Sequence, residues 1–189
     1  MELIDYCAEK KVEQFRLFGT VHRACARAMR QPTPENIVAI RAAIDESHRS
    51  GARFMDSVYI SQLAEALLMA GDVMGAETAL QEGFAFVEQS GERFWLAELN
   101  RLSGWVALKQ PEPDRVRGED CFLKAIEIAR GQEARILRLR AATDLARLRR
   151  DTGSPNEPRA LLEPILAEIE GGETAKDVQN ARVLLAEMV

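Results

Sequence analysis

Apolar residues recur along most of this chain at steps of three and four, the spacing that gathers them on one side of an α-helix. Between Val12 and Arg30 the step is carried by Phe15, Phe18, Val21, His22 and Cys25. Gln31-Pro32-Thr33-Pro34 interrupts it, with Thr33 suited to cap the next helix and Pro34 to its first turn. That helix carries Ile37, Ile40, Ala43 and Ile44 and stops at Gly51, where glycine takes a left-handed cap at low cost. A second pair runs over about Phe54 to Ala70 and Val73 to Gln89. Its inner stripes are Ile60, Leu63, Ala64, Leu67 and Leu68, then Ala76, Leu80, Gly83, Phe84 and Val87. A third pair covers about Arg93 to Lys109 and Asp114 to Arg130, across a rigid turn with Pro111 and Pro113. A fourth covers about Ala134 to Thr152 and Glu157 to Glu170, joined by Gly153-Ser154-Pro155-Asn156, with a kink expected at Pro164. Beyond Gly171-Gly172, Val178, Ala181, Leu184 and Leu185 mark a last helix. No stretch alternates as a strand does, so the expected fold is all-α.

The pattern repeats. Ser50-Gly51-Ala52-Arg53-Phe54 returns as Ser90-Gly91-Glu92-Arg93-Phe94, and Gln132-Glu133-Ala134-Arg135-Ile136 is a fainter copy. A period near 40 residues is the mark of a helical solenoid, whose units are stable only when stacked. The expected organisation is one domain over 1–189, with hairpins at about 12–51, 52–91, 92–132 and 133–171 and a capping helix at about 174–188. Glu2 to Lys10 reads as the remnant of another helix, in which case the chain would be the tail of something longer; the sequence leaves open whether it is complete or a fragment. If that segment frays, Phe15, Phe18 and Val21 lie at an end with no polar cap, and such ends tend to stack on one another.

These hairpins resemble tetratricopeptide repeats, a family with small residues where paired helices cross. Leu63-Ala64 with Ala76, Leu80 and Gly83 carries the best match. Gly104, Phe122 and Ala125 match in the third hairpin, with Gly118 where alanine is usual. Ala24, Ile40 and Ala43, then Ala146, Ala160 and Ala167, serve the others. The units exceed the standard length of about 34 residues and lack the closing proline. The resemblance covers about Val12 to Glu170 and implies a right-handed α–α superhelix. Gly91-Glu92-Arg93-Phe94-Trp95-Leu96-Ala97-Glu98-Leu99-Asn100-Arg101-Leu102 is also similar to a run in the C-terminal repeats of bacterial regulators. Those join a class III adenylate/guanylate cyclase or DNA-binding domain to a signalling ATPase. Ala125 to Arg130, Leu139 to Ala142, Leu145 to Leu148 and Leu161 to Pro164 continue the likeness. It implies a regulatory repeat module without those activities.

Composition narrows the function classes. The net charge of −5 opposes nucleic-acid binding through the whole surface. Three widely spaced cysteines and two histidines oppose a disulfide framework or a zinc site, and point to reduced thiols in a cytoplasmic protein. No secretory leader or membrane span is expected. No glycine-rich phosphate loop is present. His22 is expected to be a packed, hydrogen-bonded residue beside Cys25, and His48 to complement a helix C-terminus. Acid pairs such as Glu119-Asp120 read as solvated faces, and no pattern specifies a catalytic group. No cofactor, metal or enzyme activity is expected.

What the resemblance does imply is a concave groove lined by the first helix of each hairpin. Its apolar part falls on residues such as Phe18, Val21, Cys25 and Met29. Its polar part falls on Glu98, Arg101, Trp105 and Lys109, then on Arg140, Thr143, Arg147 and Arg150. Six arginines and one acid, Asp144, lie between Ala134 and Arg150. Guanidinium forks bind carboxylates in pairs of hydrogen bonds, so the expected partner is a protein or peptide with acidic groups. Trp105 would be its aromatic anchor; the competing reading is that the arginines form a solvated face paired to neighbouring acids and Trp105 is core. Self-association is the alternative, and a small-ligand sensor is a further one.

Overall fold

The computed structural model describes residues 3–51, 53–151 and 156–188, apart from the side chains of Leu3 and Asn156. Among them there are ten helices and no strand, so the protein is all-α. They fall into two compact units, Met1–Arg93 and Phe94–Val189, divided within the second Ser-Gly-x-Arg-Phe copy.

The first unit holds α1 (Leu3–Glu9), α2 (Glu13–Arg30), α3 (Pro34–Arg49), α4 (Asp56–Ala70) and α5 (Val73–Ser90). The ends follow local chemistry. Thr33 Oγ1 accepts the Asn36 N–H at 3.3 Å, with Pro34 in the first turn of α3. Gly71, at φ +86°, closes α4, and Asp72 opens α5 by accepting the Gly75 N–H at 2.8 Å. Packing joins α2 to α3 and α4 to α5, and sets α4 against both α2 and α3. Accordingly α4 is buried on almost every side, from Asp56 to Leu68.

One expectation about α2 changes. Its buried face is Leu17, Val21, Cys25 and Ala28, a step of four, four and three. Phe15 and His22 lie off that face and are exposed. The condition for an uncapped end is not met, because α1 forms within the segment read as a helix and packs on α2 with Cys7 buried. A Cβ on Gly19 would meet Ile4 Cγ1 at 2.8 Å, so glycine is what lets the two helices approach.

The second unit holds α6 (Leu96–Lys109), α7 (Arg115–Gly131), α8 (Arg135–Arg150), α9 (Asn156–Ala167) and α10 (Lys176–Ala186). Asp114 caps α7 by accepting the Arg117 N–H at 2.9 Å. The expected turn at Gly153-Ser154-Pro155 lies outside the described residues. Pro164 sits within α9. Packing joins α6 to α7 and α8 to α9, sets α8 against α6 and α7, and sets α10 against α8 and α9. Leu139, Ala142, Ala146, Leu162, Ile165, Val178, Ala181 and Leu184 form one core cluster across α8, α9 and α10.

Candidate functional site

The polar residues singled out on α6 and α8 do come together, but as a cluster that largely satisfies itself. Glu98 and Arg101 are one turn apart on α6 and pair through two hydrogen bonds, at 2.8 and 2.9 Å. Both are nearly sealed from water, at 2% and 6% exposure. From α8, Arg140 reaches Glu98 at 2.9 Å, and Asp144 accepts from Arg101 at 2.6 Å. The Trp105 indole N–H donates to the same Asp144 oxygen at 2.7 Å, and Arg147 holds its other oxygen at 3.0 Å. Asp177 on α10 lies 3.4 Å from Arg140.

Three guanidiniums thus face three carboxylates. Burial pushes the Glu98 carboxyl up, but Arg101, helped by Arg140, outweighs it and holds the group below the usual carboxylate range. A buried charge is tolerable only when paired in this way.

The remaining site residues divide by access. Thr143 is buried and its hydroxyl donates to the Leu139 carbonyl at 2.7 Å, so it faces no partner. Arg150 pairs with Glu187 at 2.7 Å and Asp151 at 3.2 Å. Lys109 is exposed, its ammonium 5.9 Å from the Trp105 ring centre. Arg147 keeps 38% of its side chain exposed, and Trp105 is half-buried. Lys109, Trp105 and Arg147 are therefore the part of this face open to a partner. The first-unit residues of the projected groove include Val21 and Cys25, which are core.

The acids that neutralise these arginines are only partly legible in the sequence. Asp144 is, since it lies four residues after Arg140 and three before Arg147 on one helix. Asp177 and Glu187 are not, because only the docking of α10 brings them near α8.

Elsewhere on α8, Arg135 and Arg138 line a cleft of about 280 Å³ with Ala129, Arg130, Glu133 and Glu168. Glu168 accepts from Arg138 at 2.7 Å, and its carbonyl accepts from Arg135 at 3.1 Å.

In the first unit, Asp56 is a buried carboxylate that no sequence pattern singles out. It is 1% exposed, with His48 Nε2 at 2.7 Å and Arg53 Nε at 2.9 Å. Burial raises its pKa, and Arg53 and His48 oppose the rise. His22, although exposed, has its Nδ1 3.0 Å from the Phe18 carbonyl oxygen and 3.2 Å from the Tyr59 hydroxyl, and it stacks edge-on against Tyr59. Burial pushes the Cys25 thiol up to about 12, which leaves it protonated and unreactive at neutral pH. Among the described residues, no group of three or more His, Cys, Asp and Glu side chains is placed to hold a metal ion. Nor is any helix there long and apolar enough to cross a membrane. The chain matches no protein-family model, no curated protein and no solved structure.

Proposed function

We propose that the chain is a tetratricopeptide-like helical module that binds a protein or peptide partner and carries out no chemistry of its own. The observation behind this reading is a packing rule used in both units. The first helix of one hairpin lies against the first helix of the next, α2 on α4 and α6 on α8, and the second helix of the earlier hairpin joins the contact. Then α10 meets α8 and α9 as the first helix of a further hairpin would. Such stacking leaves first helices side by side, the usual floor of a binding groove in helical repeats.

On α6 and α8 the partner meets Trp105, Lys109 and Arg147, with the buried pairs beneath them as a rigid support. Lys109, the cation that the neutralised cluster leaves over, and the exposed part of Arg147 favour an acidic partner. A regulatory role, of the kind the resemblance to bacterial signalling proteins implies, fits a module of this sort. The test is affinity capture from a native bacterial extract with the wild type and with Arg147→Glu. Loss of the captured partner from a variant that keeps its helical circular dichroism supports the reading. The same capture profile from both proteins overturns it.

Self-association is a second reading, favoured by an exposed aromatic cluster in the first unit. Phe15 is 57% and Phe54 62% exposed. Both contact Phe18, with ring centres 6.4 and 5.9 Å away. Sedimentation of the wild type and of Phe15→Ser/Phe54→Ser over a concentration series decides it. A wild type that stays monomeric at high concentration rules it out.

A further inference from the structure

We propose that the cleft at the α2–α3 turn is a binding site for a phosphate group. The cleft, of about 360 Å³, is lined by Arg27, Arg30, Gln31 and Asn36. All four side chains carry N–H donors, and among the described residues no carboxylate lines the wall. Arg27 and Arg30 are one turn apart on α2, so they share a face. Their side chains make no hydrogen bond or ion pair with any described residue. Arg16 and Arg41 of this unit are, by contrast, paired: Arg16 with Glu13 and Glu46, and Arg41 with Glu82. Two adjacent uncompensated guanidiniums stand out in a chain of net charge −5.

The other half of the cleft is already oriented. The Asn36 amide nitrogen donates to the Gln31 carbonyl at 2.9 Å, and the Asn36 backbone N–H is held by Thr33. The neighbouring acid, Glu35, is occupied by its own backbone N–H and by Thr33, which lower its pKa, and it does not line the cleft.

Charge decides the class of ligand. The lining carries two positive charges, and a phosphate monoester carries about −1.5 to −2 at neutral pH with three acceptor oxygens. A carboxylate offers one charge and two oxygens. Forked guanidiniums match the phosphate geometry directly. Cations in the last turn of α2 also complement its carbonyl end, but that effect produces no saturable site.

The test follows the arginine Nε–H signals of the full chain by NMR during titration with inorganic phosphate, and separately with acetate at equal ionic strength. The expected result is a saturable phosphate-dependent shift confined to Arg27, Arg30 and the Asn36 amide. Arg27→Gln and Arg30→Gln, both at exposed positions, each weaken it by about tenfold or more. Arg182→Gln, exposed on α10, leaves it unchanged. A shift that never saturates, spreads evenly over exposed arginines, survives both glutamine variants or is matched by acetate overturns the proposal. That failure would leave the protein-binding reading intact, because that reading rests on α6 and α8.

Discussion

Glu92 closes the open end of the helix that begins near Ser57. Its carboxylate accepts the Ser57 N–H at 3.2 Å and the Ser57 hydroxyl, and its other oxygen accepts the Met55 N–H at 3.1 Å. No side chain within α4 caps this helix, and Met55 before it sits in the left-handed region at φ +65°. Glu92 belongs to the second Ser-Gly-x-Arg-Phe copy, whereas α4 follows the first. The repeated motif is therefore more than a seam, because its second copy also supplies the cap for the preceding hairpin.

Replacing Glu92 by Gln keeps the shape but removes the negative charge from a helix N-terminus, and Glu92→Ala removes the cap altogether. The expected losses are about 0.5 kcal/mol for Gln and about 1–2 kcal/mol for Ala. Thermal unfolding followed by circular dichroism checks the order. Equal stability in all three proteins would show that the cap contributes nothing.

The buried cluster on α6 and α8 predicts a pH response in the second unit. Glu98 has a lowered pKa in the folded protein. Its contribution is therefore present above the unfolded carboxyl pKa, near 4.3, and lost as pH falls through the lower folded value. Both tryptophans, Trp95 and Trp105, lie in this unit, so their fluorescence reports its unfolding alone. Urea midpoints should hold between pH 7 and 5 and fall below about pH 4.5. Glu98→Gln should cost about 3 kcal/mol at pH 7, by leaving Arg101 underpaired, and should flatten the acid limb. Glu98→Leu with Arg101→Met should cost less than the sum of the two single changes.

Asp56 runs the other way. Its pKa is raised, so its contribution is fully present below the unfolded value, near 3.9, and is lost as pH rises through the folded one. Asp56→Asn should therefore steepen the rise of first-unit stability as pH increases from about 4 through the raised folded pKa. Hydrogen exchange of the α4 amides across that range measures it, and an identical profile in the two proteins would contradict the assignment.

The α6–α7 crossing predicts a graded response to one added methyl. A Cβ on Gly104 would lie 2.5 Å from Phe122 Cε1 and 3.0 Å from the Gly118 carbonyl oxygen. On Gly118 it would meet Leu108 Cδ2 at 2.8 Å, the end of a flexible side chain. Gly104→Ala should therefore destabilise by about 2–3 kcal/mol and Gly118→Ala by about 1. Tryptophan-monitored urea unfolding gives both values, and a reversed order would refute the packing argument.

Local physics makes much of this legible in the sequence. Apolar steps of three and four, with Thr33-Pro34 and Gly51 at helix ends, define helix pairs that the structure reproduces closely, because caps and periodicity act within one or two turns. The close crossing at Gly104 agrees with the small residue that the tetratricopeptide resemblance implies there. What the sequence leaves undecided is which charges meet. The docking of α8 on α6 brings Asp144 to Arg101 and Glu98 to Arg140, and the docking of α10 on α8 brings Asp177 to Arg140. A salt bridge between helices depends on positions far apart in the chain, so neither periodicity nor spacing encodes it. The same holds for Glu92, whose partner helix begins more than a hairpin earlier, and for Asp56, which only the packing of α4 against α2, α3 and α5 removes from water. The sequence alone determined where the helices lie. Tertiary packing decided which polar side chains remain free to meet a partner.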